Sequence, residues 1–446
     1  MLNKLYELNP FFEISVNNIT VLCNLDNAFA FRCSDIMNEF KTLYPEHCID
    51  EIENILVKKY AGTVVKRFLK KLELYHSVLF RENLKSPFFY EKYFTTLTLN
   101  VIHTCNMRCK YCFEEIEFRK DTEIMNEEIA IKAIDIFYKQ LNGKVGHIIF
   151  TGGEPILNFP LIKKIVNYVK QSNYKMTYMI KTNGTLIDED IMFFLMDNDF
   201  DVQISLDGCR EANDMNRVYM NQEGSYEDVI KVINKFVENG YKDKLSIHGT
   251  VTHQTIQYLR DSLKMMRTEY KGILFEIKEV MGSSESQFLL TNDDQKEYLR
   301  CQLDEQISDD FTQGDFLKNR YVCGIGMWHI SVDTNGELYP CYRLSGKKEF
   351  KMGNVSDGKF VKSKNHKLNE IYNLYKNPNC QKCYSINSCT TGCYADKLLM
   401  DEKQLCELSY RNYIEEYLTE YFSDINKVAL LPQIEYMINK VRRSWK

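Results

Sequence analysis

The stretch TTLTLNVIHTCNMRCKYCF, residues 95–113, joins a strand pattern to three closely spaced cysteines. Apolar and small polar residues alternate through position 103, which is typical of a β-strand. Cys105, Cys109 and Cys112 follow in a C-x3-C-x2-C run that reads as a loop. Three thiolates can hold a four-iron cubane cluster and leave one iron open to another ligand. The sequence therefore predicts a reactive iron–sulfur site at the end of a strand.

Zinc is the alternative metal for this cysteine run. Structural zinc closes with four protein ligands, and the nearest further candidate, His103, lies on the strand at an unusual spacing. The cluster is the favoured interpretation.

Strand and helix patterns alternate from the opening stretch to about residue 280. Further strands are predicted at 147–152, 175–183, 200–208, 244–252 and 273–280, and helices near 126–141, from 160, and near 187–197, 225–239 and 254–268. Six β/α units predict an α/β fold with a parallel sheet, open or curled into a partial barrel. Functional groups are then expected at the carboxyl ends of the strands.

Length, charge and cysteine content limit the possible functions. The 446 residues predict several domains, and we see no apolar run of the roughly 18 residues that a membrane span needs. The N-terminus lacks the pattern of a signal peptide, so a cytoplasmic protein without a membrane partner is expected. A net charge of −5 argues against nucleic acid as a partner. Fifteen cysteines in a reducing compartment favour metal or redox chemistry over disulfides.

The spacing of the first three cysteines resembles the signature of the radical S-adenosylmethionine (SAM) superfamily. Tyr111 and Phe113 supply the aromatic residues that usually flank the third cysteine. The resemblance implies that the open iron binds the amino and carboxylate groups of SAM. Reductive cleavage then yields a 5′-deoxyadenosyl radical that abstracts a hydrogen atom, and an external one-electron reductant such as flavodoxin or ferredoxin is expected.

The same resemblance implies a set of SAM-binding groups at the later strand ends. Gly152-Gly153-Glu154-Pro155 matches a motif that binds the SAM amino group in the family, and Ser205 and Arg217 match positions that contact the SAM carboxylate. Phe275 aligns with a residue beside the adenine, although an aromatic side chain there is more often part of the core. The full expected set is Tyr111, Phe113, Gly152, Gly153, Glu154, Asn183, Ser205, Asp207, Arg217 and Phe275.

A second field of cysteines resembles the SPASM domain, which holds auxiliary iron–sulfur clusters. Its members are Cys323, Cys341, Cys380, Cys383, Cys389, Cys393 and Cys406. A zinc ribbon would use only the four from 380 to 393. The resemblance implies one cluster on Cys380, Cys383, Cys389 and Cys406 and another on Cys323, Cys341 and Cys393, for three [4Fe-4S] clusters in all. The second cluster has only three cysteines, and three possibilities remain for its fourth position. His329 could be the fourth ligand, a substrate thiolate could bind the free iron, or His329 could have a purely structural role.

Residues 1–90 predict a module of three short strands and three helices, which resembles in pattern the winged-helix-like domain that recognises precursor peptides in ribosomal peptide maturases. The expected organisation is this module at 1–90, a partial (β/α)6 TIM-like barrel at 91–314, a SPASM domain at 315–410 and a helical tail at 411–446. The resemblance implies a maturase that crosslinks a precursor peptide, with a thioether as first choice and a carbon–carbon bond as second.

Two other functions are kept as alternatives. One is a sulfatase-maturating enzyme that generates formylglycine, although Tyr342 stands where those enzymes usually carry an aspartate. The other, from a different class, is an iron–sulfur sensing DNA-binding regulator. A basic recognition helix would be needed for it; KRFLKK at 66–71 carries some positive charge, but acidic residues balance the module as a whole.

Overall fold

The structure is a computed structural model that describes residues 6–8, 11–24, 29–44, 46–74, 80–82, 93–112, 123–280, 286–307 and 324–362, with single positions at 395, 416, 419, 420 and 423. Several predicted site residues lie outside these ranges, namely Phe113, Cys323, Cys380, Cys383, Cys389, Cys393 and Cys406. Within the described ranges, no helix has the length and apolar character needed to cross a membrane.

The N-terminal segment forms a three-stranded antiparallel sheet followed by three helices. Its first strands are β1 (Tyr6–Leu8), β2 (Phe12–Val16), β3 (Ile19–Asn24) and β4 (Phe29–Arg32), and the helices are α1 (Asp35–Leu43), α2 (Ile49–Leu56) and α3 (Gly62–Leu74). The sheet runs in the order β2-β3-β4, and Asn17 and Asn18 make its first turn at φ 47° and 64°. Residues of both layers, including Leu22, Phe31 and Phe68, share one apolar cluster. The sequence did not predict that β1 pairs with β5 (Phe80–Glu82).

The main sheet contains the six predicted parallel strands. They are β6 (Thr96–Ile102), β7 (Gly146–Gly152), β8 (Met176–Thr182), β9 (Asp201–Ser205), β10 (Leu245–Val251) and β11 (Leu274–Glu279). Each strand pairs in parallel with the next along the chain, so the sheet order follows the sequence order. The carboxyl ends of the strands consequently lie at one edge of the sheet.

Helices connect these strands and cover one face of the sheet. They are α4 (Glu127–Leu141), α5 (Phe159–Gln171), α6 (Glu189–Asp197), α7 (Arg210–Asn216), α8 (Tyr226–Glu238) and α9 (Leu259–Glu269), and α10 (Asn292–Ile307) follows the last strand. In β6, Leu97, Leu99 and Val101 are buried in the core with apolar helix residues. Side chains alternate along a strand, so Thr98 and Asn100 point to the opposite face. We call that opposite face the inner face of the barrel.

Three further strands extend the sheet on the other side of β6: β12 (His329–Val332), β13 (Glu337–Tyr339) and β14 (Gly353–Asn354). β12 pairs with β6 in parallel, with Ser331 opposite Thr98, and the other two strands add in antiparallel fashion. The sequence predicted that the β/α rhythm ends after about residue 315, a position outside the described residues, and it did not predict that β12–β14 continue the same sheet.

Candidate active site

The cluster loop starts directly after β6 and is fixed at several points. The backbone N–H groups of Arg108 and Lys110 donate to the carbonyls of Val218 and Asn216, at 2.7 and 3.0 Å. The Arg108 guanidinium donates to the carbonyl of Cys105 at 2.9 Å and so folds back over the loop. The two backbone bonds tie the loop to the last residue of α7 and to the segment after it, at the carboxyl edge of the sheet.

The three thiols of the loop affect one another electrostatically. Burial, followed by the charge of Glu154, raises the pKa of Cys105 to about 12, and Cys112 also contributes to this increase. Burial likewise raises the pKa of Cys109, with contributions from both neighbouring thiols. A thiol whose pKa is raised in the free protein still loses its proton when a metal ion binds to the sulfur, because the metal displaces the proton. The thiols of Cys105, Cys109 and Cys112 match, in number and kind, the donor set of a radical SAM cluster.

In the described ranges, no group of three or more His, Cys, Asp or Glu side chains is arranged to hold a metal ion, and this finding does not separate zinc from an iron–sulfur cluster. His103, the fourth ligand that zinc would have needed, is buried, and its Nε2 lies 2.8 Å from Oδ1 of Asp333. This histidine thus contacts the turn between β12 and β13.

Gly152 and Gly153 pack against the backbone that leads into the cluster loop. A Cβ on Gly152 would lie 2.1 Å from the carbonyl oxygen of Ile102, and one on Gly153 would lie 2.4 Å from those of His103 and Thr104. The N–H of Gly153 donates to Ile102 at 2.8 Å. Only glycine permits this approach, so the motif fixes the course of the chain before Cys105.

Glu154 is a buried carboxylate that joins β7 to β8. It accepts hydrogen bonds from the Thr182 hydroxyl at 2.7 Å, the Asn183 N–H at 2.8 Å and the Ile156 N–H at 3.1 Å. Burial raises its pKa to about 7, and these three donors act in the opposite direction. The carboxylate therefore positions Asn183 through its backbone.

Asn183 links this part of the site to the cluster loop. Its side-chain amide donates to Oδ1 of Asn106 at 2.9 Å and approaches Sγ of Cys105 at 3.8 Å. The structure thus brings together two predicted site residues, Cys105 after β6 and Asn183 after β8.

The buried Asp207 and Arg217 and the half-buried Tyr111 form one cluster beside the loop. Arg217 Nε donates to Oδ1 of Asp207 at 2.8 Å, and the Tyr111 hydroxyl donates to Oδ2 at 2.6 Å. The guanidinium also lies over the Tyr111 ring, 5.6 Å from its centre. Burial raises the pKa of Tyr111 well above its ordinary value, so its hydroxyl remains a donor. Arg217 is therefore held in place by an ion pair and an aromatic ring.

Ser205 and Phe275 lie on opposite faces of the sheet. Ser205 ends β9 on the inner face, opposite His248 of β10. Phe275 pairs with Ile247 and packs among the apolar residues under the helices. Its strand position turns the ring away from the inner face, so the expected adenine contact is replaced by a core role.

Cys341 and His329 are the two described candidates from the second cysteine field. Cys341 is buried just after β13. His329 begins β12, and its Nε2 lies 2.6 Å from the hydroxyl of Thr98. This contact with β6 favours the structural interpretation of His329 over a cluster ligand.

Sequence reasoning missed three polar residues of the inner face. Asn100 donates to Oδ1 of Asp333 at 3.4 Å and to the Ser345 hydroxyl at 3.0 Å. Lys181 lies with its Nζ 5.2 Å from the centre of the Tyr342 ring. His248 has its Nδ1 3.7 Å from Oε2 of Glu276. The alternation of apolar and polar residues within each strand could have identified them, because it places Asn100, Lys181 and His248 on the face opposite the apolar core.

Models of two protein families match the chain. The radical SAM superfamily model matches residues 99–266, and that of the iron–sulfur cluster-binding SPASM domain matches residues 323–384. An uncharacterized protein of Methanocaldococcus jannaschii is 37% identical over 184 residues, and the match spans 41% of this chain but only 62% of that protein.

Two characterised relatives match more of the chain. The cysteine-type anaerobic sulfatase-maturating enzyme of Clostridium perfringens is 27% identical over 71% of this chain and 92% of its own length. The radical SAM cyclopropyl synthase TigE of Paramaledivibacter caminithermalis is 24% identical over 87% of this chain and 88% of its own length.

Solved structures agree with the fold. The structure of anSMEcpe with bound AdoMet and the Cp18Cys peptide has a TM-score of 0.54 at 22% identity and covers 73% of this chain and 99% of that chain. The structure of Streptococcus suis SuiB bound to S-adenosylmethionine has a TM-score of 0.50 at 17% identity. The match covers 90% of this chain and 97% of that chain. These likenesses support the partial TIM-like barrel, and the two matched domains imply SAM and iron–sulfur clusters as cofactors, with auxiliary clusters in the SPASM part. The chain is therefore an enzyme of the radical SAM superfamily that carries a SPASM domain.

Proposed function

We propose that this enzyme is a peptide maturase that forms an intramolecular crosslink in a ribosomally made precursor peptide. The observation that carries the proposal is the sheet-and-helix module of β2–β4 and α1–α3, which has its own apolar cluster. In the described ranges, β2 and β4 each pair on one side only, with β3. An open strand edge is a surface to which a peptide can add as a further strand.

The match to TigE supports a role for this module. Residues 95–446 are 352 of 446 positions, or 79% of the chain, whereas the TigE match spans 87%. It therefore extends into the N-terminal module. A tethered leader peptide would keep the rest of the precursor at a high local concentration near the barrel. The peptide bound in the anSMEcpe structure supports a peptide as the substrate of a barrel of this kind.

Within this proposal, Cys105, Cys109 and Cys112 hold the radical SAM cluster. When bound, this cluster and SAM supply a 5′-deoxyadenosyl radical that removes a hydrogen atom from the substrate. Asn183 and the Asp207–Arg217 pair border the SAM site, where a guanidinium suits a carboxylate. Two auxiliary clusters on the SPASM cysteines would bring the total to three and, when bound, would supply an acceptor for the second electron of the oxidation. An external flavodoxin or ferredoxin would deliver the first electron.

Formation of a crosslink removes two hydrogens from the peptide. A thioether is our first choice of product and a carbon–carbon bond the second. The test is anaerobic incubation of the reconstituted enzyme, SAM and a reductant with short peptides encoded beside its gene, followed by mass spectrometry. We expect a loss of two hydrogens for each crosslink. Unchanged masses with every neighbouring peptide would contradict the proposal.

Maturation of a sulfatase is the second candidate, favoured by the match that covers 92% of the C. perfringens enzyme. Against it stands Tyr342, which occupies the position of the aspartate that those enzymes usually carry. A sulfatase-derived peptide with cysteine at the target position separates the two candidates, because its conversion to formylglycine exchanges the thiol sulfur for an aldehyde oxygen, whereas a crosslink removes only two hydrogens. The radical SAM domain favours an enzyme over the DNA-binding regulator.

A further inference from the structure

The segment at 207–225 contains both members of the Asp207–Arg217 ion pair and leads into helix α8. Among the described residues, the Arg217 guanidinium uses only its Nε for a hydrogen bond, to Oδ1 of Asp207 at 2.8 Å. The terminal nitrogens of a guanidinium can bind both oxygens of a carboxylate. Because the side chain is only 10% exposed, the backbone that carries it largely determines where these nitrogens point.

The side chain of Asn213, on α7, lies between the two members of the ion pair. It is fully buried, and its Oδ1 accepts the N–H of Asp207 at 3.3 Å. The backbone carbonyl of Asn213 accepts the N–H of Arg217 at 2.7 Å. A single residue therefore binds the backbone of both partners of the ion pair.

Ser225 joins Asn213 to Arg217 a second time. Its buried hydroxyl accepts a hydrogen bond from Nδ2 of Asn213 at 3.2 Å and donates one to the backbone carbonyl of Arg217 at 3.0 Å. Nδ2 of Asn213 also donates to Oδ1 of Asp214 at 3.0 Å, and the same oxygen accepts the N–H of Tyr226 at 2.9 Å. Both protons of the Asn213 amide and the single proton of the Ser225 hydroxyl are thus used within this network.

The backbone on both sides of Arg217 is bonded to the cluster loop. The carbonyls of its neighbours Asn216 and Val218 accept the N–H groups of Lys110 and Arg108, at 3.0 and 2.7 Å. A fully satisfied buried network makes the groups that it joins rigid. The network of Asn213 and Ser225 therefore fixes Arg217 relative to the loop that carries the cluster cysteines.

We propose that Asn213 and Ser225 are positioning residues that hold Arg217 where its guanidinium meets the carboxylate of SAM. Neither residue has to touch SAM, because both act through the backbone of Arg217. A group that is already in place before its ligand arrives binds more tightly, since it has less freedom to lose. This inference rests on the place that the proposed function gives to Arg217 and does not depend on which substrate is modified.

The test measures the affinity of the full-length, reconstituted enzyme for SAM by equilibrium dialysis without a reductant. Ser225→Ala removes one oxygen atom and its hydrogen bonds. We expect the dissociation constant for SAM to rise about threefold to tenfold, as for the loss of a buried hydrogen bond, with an unchanged iron content.

Tyr241→Phe is the matched control, because it also removes a hydroxyl that donates to backbone carbonyls. The Tyr241 hydroxyl binds those of Phe200 at 2.8 Å and Leu195 at 3.3 Å, beyond the other end of α8. This variant should bind SAM as tightly as the wild type.

Assays of 5′-deoxyadenosine formation separate loss of position from general damage. Loss of position raises the KM for SAM and leaves kcat near the wild-type value, whereas partial unfolding lowers kcat and the iron content at an unchanged KM. Asn213→Ala should weaken SAM binding at least as much as Ser225→Ala. Adding Ser225→Ala to it should change the affinity little further, because both residues act through one network.

Unchanged SAM affinity in Ser225→Ala and Asn213→Ala would overturn the inference, and so would a fall in kcat and iron content at an unchanged KM. If Asn213→Ala does not fold, Ser225→Ala decides alone. Arg217→Lys tests the premise, since a lysine cannot bind a carboxylate through paired donors. Unchanged affinity in Arg217→Lys would remove Arg217 from the SAM site, whereas weaker binding there beside normal binding in Ser225→Ala would refute the inference alone. The peptide substrate is judged separately by mass.

Discussion

At the scale of single residues, Gly153 is the position where the backbone leaves least room. A Cβ there would lie 2.4 Å from two carbonyl oxygens that immediately precede Cys105. Because both neighbours are backbone atoms, relief requires the cluster loop itself to shift. We predict that Gly153→Ala lowers both the iron content and the rate of 5′-deoxyadenosine formation, the latter by about a hundredfold or more, as small displacements at reacting groups do.

Gly62 is a suitable control for this substitution, because a Cβ there would have nothing within 4 Å. Gly62→Ala should keep iron content and SAM cleavage at the wild-type level. Full activity in Gly153→Ala would show that the close approach has no role in shaping the site.

His248 makes stability depend on pH. Burial first, and then the cations Lys181, Lys278 and Arg217, lower its pKa to about 3, below the ordinary 6.5 of histidine. As the pH falls below about 6.5, His248 becomes protonated in the unfolded chain but stays neutral in the folded chain. The free energy of unfolding therefore decreases progressively from about pH 6.5 towards pH 3. With the side chain 33% exposed, the discounted loss at pH 5 is about 1 kcal/mol.

We therefore predict that the unfolding temperature falls less between pH 7 and pH 5 in His248→Asn than in the wild type, by about 2 °C. Thermal unfolding of the full-length chain at both pH values measures this difference. His47→Asn, at a side chain that is 40% exposed and whose Nδ1 lies 3.7 Å from Oε2 of Glu51, is the control. The same pH dependence in His248→Asn and the wild type would contradict the prediction.

At the scale of elements, the turn between β12 and β13 is joined to the end of β6. Oδ1 of Asp333 lies 2.8 Å from Nε2 of His103 and accepts the N–H of Thr334 at 2.9 Å, and the His103 and Asp333 side chains are at most 5% exposed. Asp333→Asn keeps the shape but removes the charge. We predict a loss of about 2–4 kcal/mol in the free energy of unfolding and slower SAM cleavage, because His103 precedes Cys105 by two residues.

Asp357 is the matched control for this change. It accepts the N–H of Asn354 at 2.9 Å in an exposed cap, so Asp357→Asn should cost about 1 kcal/mol or less. Denaturant unfolding and 5′-deoxyadenosine assays measure both effects. Equal effects of the two substitutions would mean that burial of the Asp333 pair is unimportant.

The same elements show which parts of the fold the sequence could predict. Strand β7 was expected at 147–152 and lies at Gly146–Gly152, and α4 was expected near 126–141 and lies at Glu127–Leu141. Their periodicity is local and repeated, so it can be recognised in isolation. β12 and β13 have only four and three residues. Their place beside β6 depends on pairing between segments far apart in the chain, which no local pattern records.

At the scale of the whole molecule, the predicted site divides in a similar way. The cysteine spacing and the glycine pair could be recognised because each lies within a few residues. The contact of Lys181 with Tyr342, and that of His103 with Asp333, join the barrel to the segment around the second cysteine field. Such contacts exist only after the sheet has formed. The ligand sets of the auxiliary clusters stay predictions, since six of their seven cysteines lie outside the described residues.

Iron content tests the complete set of ten cysteines. Three [4Fe-4S] clusters predict about 12 iron atoms per chain after anaerobic reconstitution. Replacing Cys105, Cys109 and Cys112 together by alanine should remove about four of them and abolish SAM cleavage, because the remaining clusters have no role in binding SAM. Cys301, which is buried beside apolar residues of α9 and β11, is the control, and Cys301→Ala should retain all of the iron. A wild-type content near four would eliminate both auxiliary clusters, and SAM cleavage that survives the triple replacement would eliminate the radical mechanism itself.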